Sequence, residues 1–190
     1  MSGEGFAVPS PAGAYDTAVG STPTETRSNV HALVIGCGNL LCGDDAAGPL
    51  VVRRMAARGL PDGVECLDAG TVGIDVASRM RGVGVVVVVD ACRSGASPGT
   101  IHSLRGEDLA TPAPPSRLDL HRFRWDHALA VGHWLLGADY PSRVAVWLVE
   151  GACFDPGAPL SPPVEAAVDR LAERLCLELA GGGGTGSEGR

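Results

Sequence analysis

Three stretches of this sequence put side chains capable of acid–base or metal chemistry directly after apolar runs or at a helix start. GCGNLLCGDDAAG, residues 36–48, carries Asp44 and Asp45 just ahead of a helical pattern. Asp90 follows the five consecutive valines Val85 to Val89, and His127 stands beside Trp125 and Asp126 where another helical segment begins. Two carboxylates and one imidazole would together suit a divalent transition metal: imidazole suits nickel and zinc, and carboxylate oxygens complete a three-ligand site with open positions. Each residue also has a plainer role. Either Asp44 or Asp45 fits a helix N-cap that accepts backbone N–H bonds, worth about 1 kcal/mol, and Asp44 fits it better than Asp45. Asp90 emerges from low-dielectric surroundings and needs a hydrogen bond or a cation, which a neighbouring loop could supply. His127 alone is weak evidence. His133, six residues on, faces elsewhere, because positions i and i+4 share a helix face and i and i+6 do not.

Convergence of these residues depends on the elements that carry them. Short apolar runs alternate with helical patterns, the signal for βαβ units and a parallel sheet. His31 to Gly36 reads as a first strand and Pro49 to Arg58 as a helix, with Pro49 tolerable in its first turn, where a missing N–H costs little. Gly63 to Asp68 reads as a strand and Gly73 to Met80 as a helix. The unbroken valines from Val85 match a central strand buried on both faces. Thr100 to Leu104 adds an edge strand, Asp126 to Leu136 a helix, Arg143 to Val149 a strand and Pro162 to Leu179 a closing amphipathic helix. The fold class is α/β: a three-layer α/β/α sandwich around a mostly parallel, twisted sheet of about five strands. In such sheets the functional crevice lies outside the carboxyl ends of the strands, where Asp45 and Asp90 are placed.

Composition bounds the organisation and removes several functions. The 190 residues, 45% of them apolar, suffice for one core, so residues 30–180 read as a single domain. Residues 1–29, rich in Gly, Ser, Thr, Pro and Ala, read as a disordered leader, and 181–190 as a flexible glycine-rich tail. Pro112, Pro114 and Pro115 mark a loop inside the domain where function is plausible. A net charge of −7 disfavours nucleic acid and anionic membrane as partners. All fifteen basic residues are Arg, which excludes a Schiff-base lysine and a P-loop lysine. The six cysteines, at 37, 42, 66, 92, 153 and 176, form no CxxC pair; buried free thiols in a reducing cytosol are expected. No secretory signal or run of 18 apolar residues is visible, so the expectation is a cytoplasmic protein. Gly36-x-Gly38 is followed by Leu41 where a dinucleotide loop needs its third glycine, which counts against a nucleotide- or flavin-binding module.

The segments GNLLCGDDAAGPL, LDAGTVGIDV, VVVVVDACRSGASPGTI, DHALAVGHWL and VEGACFDPGAPLSPPVEAAVDRL resemble, in that order, the nickel-iron hydrogenase maturation proteases, over about residues 32–179. The resemblance implies the sandwich fold and an endopeptidase, of aspartyl type, that removes a C-terminal extension from the nickel-loaded hydrogenase large-subunit precursor. Its three nickel-contacting residues carry over as Asp45, Asp90 and His127, and family members have Glu or Asp at the first of these. Nickel is then supplied by the precursor rather than held as a resident cofactor, and the enzyme is expected to be a monomer. Asp68, Gly70 and Gly73 match a family segment and would shape the cleft. No Ser–His–Asp or Cys–His arrangement is evident, so a water molecule is the expected attacker. A non-cutting scaffold that binds the precursor would use the same ligands and is the alternative.

The leader lies outside the resemblance. Removing residues 1–29 is expected to leave precursor cleavage intact, and a large loss of rate in the truncated protein would place the leader in the site.

Overall fold

The computed structural model describes residues 30–70, 74–106 and 125–181. The leader, the proline-rich loop, Gly73 and all but the first residue of the tail fall outside them. β1 (Ala32–Cys37) leads through a 3-10 turn (Gly43–Ala46) into α1 (Ala47–Arg58). β2 (Val64–Gly70), α2 (Ile74–Arg79), β3 (Val85–Cys92) and β4 (Ile101–Arg105) follow. α3 (Trp125–Leu136), β5 (Arg143–Glu150) and α4 (Pro162–Ala180) complete the fold. Every expected element is present, with ends displaced by one or two residues. One displacement matters: the valine strand runs on through Asp90 to Cys92, so Asp90 sits inside strand pairing, opposite Leu148, rather than beyond it.

The five strands order as β2-β1-β3-β5-β4. All neighbours are parallel except the β4–β5 edge pair. The chain leaves β1 to one side for β2 and returns to its other side for β3, which makes the carboxyl ends of β1 and β3 the topological switch point.

Alternation along the strands divides the core in two. Ala32, Val34, Val87, Val89 and Val149 face α1 and α4, where Val51, Met55, Val168, Leu171 and Leu175 cover them. Leu33, Ile35, Val86, Val88 and Val146 face the other way, onto Val76 and Met80 and onto Leu129 and Leu136 of α3. β3 therefore has its valines buried on both faces, as its unbroken apolar run requires: Val86 to Val89 are 4% exposed or less. Among the described residues no helix is long and apolar enough to cross a membrane.

The cysteines depart from expectation in one respect. All six are free, but only Cys37 is buried, the other five being half-buried.

α1 begins hard against the sheet. A side chain at Gly48 would collide with the carbonyl oxygens of Cys37, the last residue of β1, and of Val89 in β3. Gly48→Ala is expected to force α1 off the strand ends and to lower stability by about 1–3 kcal/mol, read as a lower urea midpoint with an unchanged slope.

Candidate functional site

The loop from Gly38 to Gly48 returns over the switch point, and two adjacent aspartates in it have different surroundings. Asp44 is fully buried. Its Oδ2 accepts the N–H groups of Ala152 at 2.7 Å and Cys153 at 3.0 Å and the Ser161 hydroxyl at 2.9 Å, while Oδ1 accepts the Ser161 N–H at 2.7 Å. The Asp44 N–H donates in turn to the Cys153 carbonyl at 2.7 Å. Burial raises the Asp44 carboxyl, but the Ser161, Cys153 and Ala152 N–H groups and the Ser161 hydroxyl outweigh it and hold the group below its ordinary value. The N-cap expectation is corrected here. Neither aspartate caps its own helix, since the residue before the 3-10 turn is Cys42, the one before α1 is Ala46, and neither makes a side-chain capping bond. Asp44 instead ties this loop to the segment between β5 and α4.

Asp45 is only partly buried. Its Oδ2 accepts the Asn39 N–H at 2.8 Å, and the Asn39 Oδ1 accepts the Leu41 N–H at 2.9 Å, so the loop is folded around this carboxylate. Gly38, at φ +126°, has the Asp45 carbonyl packed where a Cβ would stand, with Asp90 Oδ1 3.6 Å from the same point. The Asp45 backbone and the Asp90 carboxylate thus both approach Gly38, just beyond the end of β1. Asp90 Oδ1 also accepts the Ala91 N–H at 2.8 Å. His127 lies in the first turn of α3; its side chain is outside the described residues. His133 is exposed and packs edge-to-face on Tyr140, with ring centroids 5.0 Å apart.

The neighbours of the two carboxylates are equally definite. Burial first, then the negative charges of Asp90 and Asp68, push the Cys37 thiol far above its ordinary range, so it remains a thiol and no nucleophile. Asp68 accepts both Nε (3.1 Å) and Nη2 (2.9 Å) of Arg53 on one oxygen, and the Gly70 N–H at 3.2 Å on the other. It joins β2 to α1 at the rim.

One functional candidate escaped the sequence reading. Glu150, the last residue of β5, is 1% exposed. The Ser94 hydroxyl (2.7 Å) above all, opposed by burial and joined by the Ser94 N–H, the Cys92 thiol and the Gly95 N–H, lowers its carboxyl to about 2. The strand-end rule applied to RVAVWLVE, as it was to the valine strand, would have found it.

The profile described as hydrogenase maturation protease matches residues 49–178. This chain belongs to the hydrogenase maturation protease family. Asp90 and His127 lie within the matched span, and Asp45 just before it. The hydrogenase expression/formation protein HupM of Azotobacter chroococcum is 32% identical over 157 residues, covering 82% of this chain and 73% of that protein. The hydrogenase 2 maturation protease of Escherichia coli is 30% identical over 153 residues, covering 79% and 91%. Among solved structures, the hydrogenase maturating endopeptidase HybD from E. coli superposes with a TM-score of 0.66 at 29% identity, covering 81% of this chain and 94% of that one. As a hydrogenase maturation protease the chain is an endopeptidase, a hydrolase acting on peptide bonds.

Asp44 and Glu150 both have lowered carboxyl values, so the stability each contributes is complete above the unfolded value near pH 4 and is lost as the pH falls through the folded one. Asp44→Asn is expected to cost roughly 2 kcal/mol at neutral pH, through donors left without an acceptor. Its stability should also fall less steeply than wild type below about pH 4. Urea titrations at a series of pH values read both effects.

Proposed function

We propose that the enzyme removes the C-terminal extension of the large-subunit precursor of a nickel-iron hydrogenase after nickel has been inserted. The observation that carries this reading is the chain's membership of the maturation proteases, supported by the approach of the Asp45 backbone and the Asp90 carboxylate to Gly38 at the switch point. Nickel enters as part of the substrate, held by the precursor. Asp45 and Asp90 offer it two carboxylates, and His127, in the first turn of α3, is proposed as the third contact. A partly exposed carboxylate whose loop is already organised by Asn39 can receive such an ion without rearranging its own support.

Water is proposed as the attacker. The buried Cys37 thiol is held protonated beside Asp90 and Asp68, and the half-buried Cys92 thiol is raised to about 12 by burial and by its hydrogen bond to Glu150. Neither is a thiolate at neutral pH. Hydrolysis is then of aspartyl type, with carboxylates bordering the scissile bond in place of a nucleophilic side chain. The six free thiols suit a reducing compartment, in keeping with action in the cytoplasm. The enzyme is proposed to act as a monomer on its protein partner, with no nucleic acid or membrane involved.

Mass measurement of the precursor after incubation with purified enzyme tests the proposal. Nickel-loaded precursor should lose a C-terminal peptide and nickel-free precursor should stay whole. Asp45→Ala, Asp90→Ala and His127→Ala should each slow cleavage by about 100-fold or more. Binding without cleavage by the intact enzyme would replace the protease by a scaffold, and equal cutting of both precursors would remove nickel from recognition.

A further inference from the structure

A second group of ligand-type side chains gathers across β3, β5 and β4, outside the Asp45–Asp90 pair. Cys92 stands directly opposite Glu150 across β3–β5, and His102 stands opposite Leu148 across β4–β5, two residues before Glu150. Side chains alternate along a strand, so this register puts all three on one face of the sheet. Their ligand atoms lie within 4.8 Å of one another. Cys92 Sγ is 3.2 Å and His102 Nε2 3.6 Å from the same oxygen, Oε2 of Glu150. Tetrahedral zinc bonded to sulfur, imidazole nitrogen and carboxylate oxygen has ligand–ligand edges of about 3.4–3.6 Å.

Two further features favour a cation. Nε2 of His102 is shielded from solvent and has no hydrogen-bond partner among the described residues, a costly state for a buried polar atom that a metal bond would relieve. Glu150 is already oriented as a ligating carboxylate is: Oε1 accepts the N–H groups of Ser94 (2.8 Å) and Gly95 (2.9 Å), and Oε2 accepts the Ser94 N–H (3.0 Å) and hydroxyl (2.7 Å). Such outer contacts fix the direction of a ligand's lone pairs.

We propose that Cys92, His102 and Glu150 form a binding site for a zinc-class divalent cation, with water completing the tetrahedron. The Cys92 thiol gives up the proton it now donates to Glu150, and that proton passes to solvent as the sulfur–metal bond forms. The bound ion joins the carboxyl-end region of β3 and β5 to the edge strand β4 and fixes the 93–95 turn. Asp90 is two residues back along β3, about 7 Å away, and belongs to a different ligand set.

Cobalt(II) titration of the untagged full-length protein tests this, because only a sulfur-containing site gives thiolate-to-cobalt charge-transfer absorption in the near ultraviolet. One cobalt per chain with that absorption is expected, displaced by one equivalent of zinc. Cys92→Ser keeps a hydroxyl donor for Glu150 and should fold, as circular dichroism can verify, yet lose the absorption and at least about 10-fold in affinity. His102→Ala should weaken binding similarly. The double variant Asp45→Ala/Asp90→Ala and the variants Cys42→Ser and Cys153→Ser should bind as wild type does, which separates this site from the proposed precursor-nickel contacts. Absence of stoichiometric binding, or absorption or affinity that survives Cys92→Ser, would overturn the proposal.

Discussion

Much of the site depends on one buried carboxylate. Asp44 has no solvent exposure and accepts four hydrogen bonds from residues more than one hundred positions away in sequence. A charge so placed is tolerable only because every approach to it is a donor, and removing the donors would leave it uncompensated. The 3-10 turn that carries Asp44 is thus fastened to the loop leading into α4, and the loop's other residues are placed by that fastening. Asp45, the next residue, takes no part in these bonds; it is only partly buried and accepts the Asn39 N–H. Of two adjacent aspartates, one is thus a buried anchor and the other a partly exposed carboxylate.

Glycine allows the anchored loop to reach the strand ends. The close approach of α1 to the carbonyls of Cys37 and Val89, and of the Asp45 carbonyl to Gly38, leaves no room for a Cβ at Gly48 or Gly38. The resulting enclosure explains why Cys37, at the end of β1, is buried beside negative charge and chemically quiet. It also shows how a chain with an apparent Gly-x-Gly start can dispense with phosphate chemistry. The loop's glycines make space for an acidic segment, and carboxylates stand where a phosphate would need positive charge.

The far part of the same sheet end follows a similar rule with different residues. Glu150 closes an apolar strand as Asp90 nearly does, and its donors are the turn immediately after β3. Buried carboxylates thus organise two loops at the functional end of the sheet, through backbone amides and hydroxyls rather than arginine. Arg53, Arg54 and Arg58 instead form ion pairs on the outer surface of α1, where exposure makes each worth little.

The sequence by itself determined the layers, the strand and helix types and the region of the site, because periodicity and strand-end position are local signals that survive into the fold. Asp90 was legible as a polar residue after five valines, and the family was legible from five ordered segments. Which of Asp44 and Asp45 is the buried anchor and which stays partly exposed was decided only in three dimensions, since the donors that surround Asp44 come from residues 152–161. The grouping of Glu150, itself legible as a strand-end carboxylate, with Cys92 and His102 was equally out of reach. They meet through the pairing of β5 with both β3 and antiparallel β4, and register between strands is set by packing of the whole sheet, not by any stretch of the chain alone.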